Sequence, residues 1–284
     1  MDKITAMAHR ATGVKPDVRF WKDRKAGLTI ISVRKGGEPS PPPQVENSPT
    51  DDWPFLYLKE RGLPSIYLKA MLVMGVWIAG LFALLYVFDR RTDRGTSAPR
   101  TLVKGAFIFM GVAFLLLETK SVIQFALLFG TTWVNNSLVF LAILLLILAA
   151  NWTAVLLKDR RVLIPVFVLL IASSLLPLAY PLGRLLEIDS RLVRFAAASL
   201  LTFSPIFFAN LVFSLAFRDQ NAAERLFGWN LLGATIGGTL EYVSMALGYN
   251  ALAIIVAICY LLVFACLMLA RRIDPERAGL VPRS

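Results

Sequence analysis

Apolar residues in this chain are gathered into long blocks that begin only after a polar stretch of about 65 residues. Each block has the length that a helix needs to cross a hydrocarbon core of about 30 Å at a rise of about 1.5 Å per residue. Buried helices of soluble proteins are usually shorter and are interrupted by charge more often. The pattern therefore predicts an all-α, polytopic transmembrane helix bundle.

The apolar blocks predict about seven spans. They cover residues 66–88, 102–129, 136–157, 162–182, 192–217, 225–248 and 250–270. Prolines lie inside the fourth and fifth spans, where neighbouring helices can satisfy the carbonyl groups that a kink releases.

The polar N-terminal segment has a different pattern. Alternating apolar residues between Asp17 and Lys35, around a turn at Lys25-Ala26-Gly27, predict a β-hairpin, and a Pro-rich linker follows at 36–43. A lone two-stranded hairpin is marginal in water, so we expect a remnant of a soluble domain or a surface for a partner. The predicted domains are this segment at 1–65, a transmembrane domain at 66–272 and a polar tail at 273–284.

The formal charge of +11 does not indicate a nucleic-acid partner. Basic residues lie mostly in the tail and beside the apolar blocks, where they set topology and meet lipid headgroups. The loops at 90–100 and 158–161 are rich in Lys and Arg, whereas those at 130–137 and 248–250 have none. The positive-inside rule then places the C-terminus in the cytoplasm of a cell (inner) membrane, and seven spans place the N-terminal segment outside.

Polar side chains inside the spans are candidates for function, because an ionisable group costs about 2.5–3.5 kcal/mol at membrane depth. They are Glu118, Lys120, Gln124, Asn151, Asn210, Asn230 and Glu241. Glu118 and Lys120 are about 200° apart on a helix and cannot easily pair. Lys120 and Glu241 have similar depths, which predicts a buried pair with Gln124 on the same face. The pair could be a structural staple or part of a substrate or proton path.

Two further patterns have structural and functional interpretations. Gly233 and Gly237 have the small-xxx-small spacing that lets two helices pack closely. Glu241 follows four residues later on the same face of the helix, and close packing alone does not explain an acidic residue there. Asp51 and Asp52 form a membrane-proximal acidic pair, which could cap a helix or assist catalysis. The neighbouring Trp53 and Tyr57 suit an interfacial aromatic belt.

Motifs for catalysis are missing from the sequence. It contains no phosphate-binding loop, no G-x-G-x-x-G, no catalytic triad and no metal-spaced cluster. Cys259 and Cys266 are two helical turns apart, which is too far for a disulfide. We expect no cofactor and no metal, and this chain alone is not expected to be catalytic.

One family resembles this sequence. The segment from Phe109 to Gln124, followed by Leu128-Phe129-Gly130, contains a G-x-x-F-x-x-x-E motif and resembles the membrane part of bacterial spermidine-synthase-like proteins. Further similar segments are Trp229-Asn230 with Gly233 and Gly237, the Gly248-Tyr249 turn, and Thr50-Asp51-Asp52-Trp53-Pro54-Phe55. The resemblance covers residues 15–270.

The resemblance implies a membrane module that anchors or serves a soluble domain of methyltransferase fold, similar to aminopropyltransferases. The glycine-rich cofactor loop and the ribose-binding acidic residue of that domain are absent here. We therefore expect the C-terminal membrane portion of a larger protein, or a product of an internal start. A cytoplasmic soluble domain would contradict the orientation derived from charge unless one apolar block is re-entrant.

Two other functions stay open at this point. The chain could be a small-molecule transporter with the buried Glu and Lys residues lining its path, or a structural membrane subunit. Expected partners are the lipid bilayer, a soluble methyltransferase-fold domain or subunit, and a second copy of this chain in a homo-oligomer.

Overall fold

A computed structural model describes residues 2–22, 27–34, 39–41, 49–92, 98–157, 159–180, 182–218, 220 and 223–273. The chain divides into two compact units, Met1–Gly62 and Leu63–Ser284. The first unit is polar and the second contains the long apolar helices.

The first unit combines one helix with a hairpin. Helix α1 (Asp2–Thr12) precedes strands β1 (Asp17–Lys22) and β2 (Gly27–Ser32), which pair antiparallel from Asp17 opposite Ser32 to Lys22 opposite Gly27. The predicted hairpin is confirmed, while Lys25 and Ala26 of its turn lie outside the described residues. Helix α1 was not predicted from the sequence.

Trp53 forms the core of the first unit. Its side chain is fully buried, and the Lys3 ammonium lies 5.1 Å from the ring centroid. The same ammonium donates to the carbonyl oxygens of Leu58 at 2.7 Å and Lys59 at 2.8 Å. The interpretation of Trp53 as an interfacial belt residue is wrong, because the ring is enclosed within this unit.

In the second unit, five of the described helices are long and apolar enough to cross a membrane. They are α2 (Ser65–Thr92), α3 (Ala98–Phe129), α4 (Trp133–Leu156), α6 (Arg191–Phe217) and α9 (Tyr249–Ile273). Between them lie α5 (Leu163–Ala179), α7 (Ala223–Leu240) and the short α8 (Ser244–Leu247), with 3-10 turns at Arg160–Val162, Leu182–Glu187 and Glu241–Val243. The prediction of a multi-pass helical protein is thus confirmed.

The sixth predicted span is not one regular helix. It changes to 3-10 geometry at Glu241–Val243, and α8 is followed by Gly248, which has a φ of 86°. A positive φ is easy for glycine because it has no Cβ. The chain therefore turns at one residue and enters α9 directly.

Helix α3 is central in the second unit. It packs against α7, α9 and α6, while α4 and α5 pack on α6, and α5 also reaches α9. Helix α2 packs mainly on α7, and none of the side chains in its most apolar section is buried. The core of the second unit therefore lies around α3, and α2 presents most of its surface outward.

Contacts at the helix ends fix relative directions. The Arg218 guanidinium, just after α6, donates to the carbonyl oxygens of Ala154 at 3.0 Å and Leu157 at 2.8 Å at the end of α4. Asp89 near the end of α2 forms ion pairs with Lys104 near the start of α3 and Arg225 near the start of α7. So α4 and α6 run in the same direction, and α7 starts where α2 ends.

Candidate functional site

Helices α3 and α7 approach each other so closely that glycine is required on both. A Cβ built on Gly111 would overlap the carbonyl oxygen of Asn230, and one built on Gly233 would overlap the carbonyl oxygen of Ile108. A Cβ on Gly237 would lie 2.7 Å from the Val112 carbonyl oxygen. The structure therefore places Gly233 and Gly237 in a seam of direct backbone contact with α3.

The side chain of Asn230 adds a hydrogen bond to this seam. Its Nδ2 donates to the carbonyl oxygen of Phe107 at 3.0 Å. The carbonyl group of Phe107 thereby gains a partner outside its own helix, and the amide oxygen of Asn230 keeps its accepting capacity.

Glu241 lies at the far end of the same seam. The Thr119 hydroxyl donates to its Oε2 at 3.5 Å, and the side chain of Tyr249 lies near those of Ser244 and Glu241. Lys120, the neighbour of Thr119 in the chain, is 2% exposed. The structure thus brings Glu241 beside this part of α3, while the direct Lys120–Glu241 pair stays a prediction.

The other charged and amide candidates on α3 and α4 have different surroundings. Glu118 and Gln124 are partly buried, and neither forms a hydrogen bond to another described side chain or backbone group. Asn151 accepts from the Ser214 hydroxyl at 2.5 Å and so links α4 to α6.

The acidic pair belongs to the first unit. Asp51 and Asp52 lie in a bend of the first unit, well before α2 begins at Ser65. Helix capping of α2 by this pair is therefore wrong, because a capping side chain must stand next to the first helical turn.

Asn210 and Asn230 meet at a cavity between α3, α4, α6, α7 and α9. The cavity has a volume of about 180 Å³, and the hydroxyl-bearing ring of Tyr260 also lines it. The Nδ2 group of Asn210 donates to its own helix at the Ile206 carbonyl oxygen, at 2.9 Å. Two of the predicted polar residues thus line the same cavity as Tyr260, which was not predicted from the sequence.

Comparison with protein-family models, curated proteins and solved structures finds no match to this chain.

The cavity and the Glu241 region differ in charge. The residues that line the cavity are apolar, aromatic, amide or phenolic, and none of them is charged. Within the described ranges, no three His, Cys, Asp or Glu residues are grouped so that they could hold a metal ion. The cavity can therefore donate and accept hydrogen bonds, but it offers no counter-ion to a charged molecule.

A charged cluster at one end of the bundle was also missed by the sequence reading. The carboxylate of Asp89 pairs with Lys104 through Oδ2, and its Oδ1 lies 3.6 Å from Nη1 of Arg225. The latter distance is an ion pair but is too long for a hydrogen bond, and Oδ1 has no hydrogen-bond partner among the described residues. The sequence does contain a signal for this cluster, because Asp89, Lys104 and Arg225 lie near ends of predicted spans that face the same side of the membrane.

Proposed function

We propose that this chain is a seven-span membrane module of the spermidine-synthase-like class, which anchors or serves a soluble domain or subunit of methyltransferase fold. One observation carries the proposal. The two segments in which the resemblance is most specific, around Gly111 to Glu118 and around Trp229 to Gly237, pack against each other in the α3–α7 seam. The two segments that resemble the same family are therefore in direct contact.

The directions of the helices support seven crossings. Since α4 and α6 end together at the Arg218 contacts, α5 has to bring the chain back across the bundle between them. Its 17 residues span about 26 Å, close to the hydrocarbon thickness of about 30 Å. Likewise α7 starts beside Asp89 and its continuation through α8 leads to the opposite end, where α9 begins.

Basic residues support an orientation for this module. Arg90, Arg161, Arg218 and Arg272 all fall at the end of the bundle that holds Asp89, which the positive-inside rule assigns to the cytoplasm of a cell membrane. A domain fused ahead of α2 then lies on the outer side, whereas a cytoplasmic partner has to be a separate subunit.

The test of this function starts from the coding sequence that precedes or neighbours this one. We expect it to encode a methyltransferase-fold protein that co-purifies with the tagged chain from detergent-solubilised membranes in a fixed ratio. A tagged, unrelated multi-pass protein of similar basicity is the control for non-specific capture. The proposal fails if no such coding sequence exists, or if its product stays soluble and unbound when the two are co-expressed.

Transport is the second candidate, and the carboxyl group of Glu118 favours it. This group lies well inside α3 and forms no hydrogen bond to another described group, while Glu241 lies on the adjoining helix segment. Ionisable groups at membrane depth commonly mark substrate or proton paths. Proteoliposomes containing the chain would then take up a labelled polyamine, and E118Q or E241Q would abolish uptake. The matched control is E187Q, which changes an exposed glutamate.

A further inference from the structure

Three polar side chains at the cavity have hydrogen-bonding capacity that the protein does not use. Each asparagine, Asn210 and Asn230, donates from Nδ2 to a backbone carbonyl oxygen, which leaves its amide oxygen as an acceptor. Tyr260 is 1% exposed, and its hydroxyl forms no hydrogen bond to any described residue. One donor and two acceptors therefore converge on the same space.

Because the cavity lies inside the helical bundle, its unused hydrogen-bonding groups cost free energy when no bound molecule pairs with them. Asn210 and Asn230 are each about seven residues, or about 10 Å, inside the ends of their helices, and Tyr260 is nearer mid-membrane. A buried polar group without a partner costs about 1–3 kcal/mol, so such groups are normally paired. A molecule that supplies matching groups would recover that free energy.

The size and the lining of the cavity restrict what this molecule can be. Its volume of about 180 Å³ is close to that of a cavity of about 150 Å³ that binds benzene in another protein. The rings of Phe114 and Phe213 line it, and aromatic rings favour edge-to-face and offset contacts with another ring. A charged molecule is excluded, because no lining residue could compensate its charge.

We propose that this cavity binds an uncharged, single-ring aromatic molecule that carries a hydroxyl or carbonyl group. The ring packs among Phe114 and Phe213, and its polar substituent hydrogen-bonds to the Tyr260 hydroxyl and to one asparagine. A free phenol and the head of a membrane quinone both present this chemistry. The site goes beyond the proposed function and does not depend on it.

The experiment uses the full chain in lipid nanodiscs and the photoreactive probe 4-azidophenol. We expect the label on peptides from α6, α7 and α9 that border the cavity. Y260F removes only the hydroxyl and should weaken labelling about fivefold, the effect of one hydrogen bond. Y242F is the matched control, because it makes the same change at a tyrosine outside the cavity lining.

A second variant and two competitors complete the design. N210L replaces the amide by an apolar group of similar size and should also reduce labelling, with thermal unfolding recorded for both variants. Loss of the label with excess phenol but not with a prenylated benzoquinone identifies a free phenol, and loss with the quinone identifies the lipid source. Label spread over lipid-facing peptides, and unchanged in folded Y260F and N210L, would mean that the cavity holds only water and would overturn the proposal.

Discussion

The close approach of α3 and α7 depends on glycine residues, whose side chain is a single hydrogen atom. Gly111 faces the backbone of α7, and Gly233 faces the backbone of α3. Lipid tails are as apolar as leucine side chains, so helices in a membrane associate through packing and hydrogen bonds and gain little from the hydrophobic effect. Backbone contact at these two positions, with the Asn230 hydrogen bond beside them, is therefore a main stabilising interaction of the bundle.

G233A tests this packing. The new methyl group would overlap the Ile108 carbonyl oxygen, so we expect the bundle to lose about 1–3 kcal/mol of unfolding free energy through overpacking. Unfolding in mixed detergent micelles, followed by circular dichroism, measures the loss. G105A is the matched control, because that glycine is also helical and has open space around it. Equal stability of G233A and G105A would contradict the seam.

D89N tests the charged cluster at the end of α2. The substitution keeps the size of the side chain but removes the charge that pairs with Lys104 and Arg225. Hydrogen bonds to charged groups contribute about 1.5–3 kcal/mol, and we expect a loss of that order in the same unfolding assay. The double variant D89N/K104Q should recover part of the loss because it removes an uncompensated cation.

D189N provides the comparison for this loss, since Asp189 is exposed in the segment between α5 and α6. Its stability should match that of the unmodified protein. A D89N protein as stable as D189N would show that the cluster contributes nothing.

The sequence predicts that Asn210 and Asn230 are costly to place inside membrane spans, but it does not predict which residues they contact. Hydropathy marks Asn210 and Asn230 as polar groups inside spans. Their meeting at Tyr260 depends on how each helix is rotated about its axis, which the packing of α3, α6, α7 and α9 decides. Tyr260 lies in a uniformly apolar stretch, and a tyrosine there is equally consistent with ordinary packing.

Helices α5 and α7 decide how many times the chain crosses the membrane. Single cysteines, placed in a background that carries C259A and C266A, would report the side of each loop through a membrane-impermeant maleimide. With seven crossings, cysteines at Thr131 and Asp189 should react on one side and those at Asp159 and Gln220 on the other.

A five-span protein gives a different labelling pattern. If α5 and α7 did not cross, Asp189 would move to the side of Asp159, and Gln220 to the side of Thr131. That exchange would contradict the seven-span proposal, and Thr131 and Asp159 act as internal controls because both arrangements place them on opposite sides.

The elements were predictable where a long apolar block or a strict alternation of apolar and polar residues marks them. The long apolar helices and the hairpin follow from block length and alternation. Helix α1 has only 11 residues, and its large apolar side chains, Ile4 and Met7, are exposed. Its buried side chains are the small Ala6 and the polar His9, whose ring hydrogen-bonds to Ser40. The 3-10 turn at Glu241–Val243 could not be read from hydropathy, because the predicted sixth span continues through it, whereas the break at Gly248 falls where the sequence predicted a loop.

The division into two compact units predicts that the helices fold without the polar unit. The second unit builds its own core around α3. Deletion of residues 2–62 should therefore leave the helical domain inserted and change its melting temperature by less than about 2 °C, or about 1 kcal/mol. Calorimetry in detergent compares the truncated and full chains, with G233A as a reference for a destabilised domain. A drop of more than about 5 °C would contradict independent folding.

The two ion pairs of Asp89 can form only one after the other while the chain is being synthesised. Lys104 follows 15 residues later, but Arg225 follows only after about 136 residues, which takes about 7–27 s at about 5–20 residues per second. Helix α7, the main packing partner of α2, is made in the same late interval. Helix α2 is therefore made well before α7, so Asp89 can pair with Lys104 long before Arg225 exists, and α2 completes its packing only after α7 has been made.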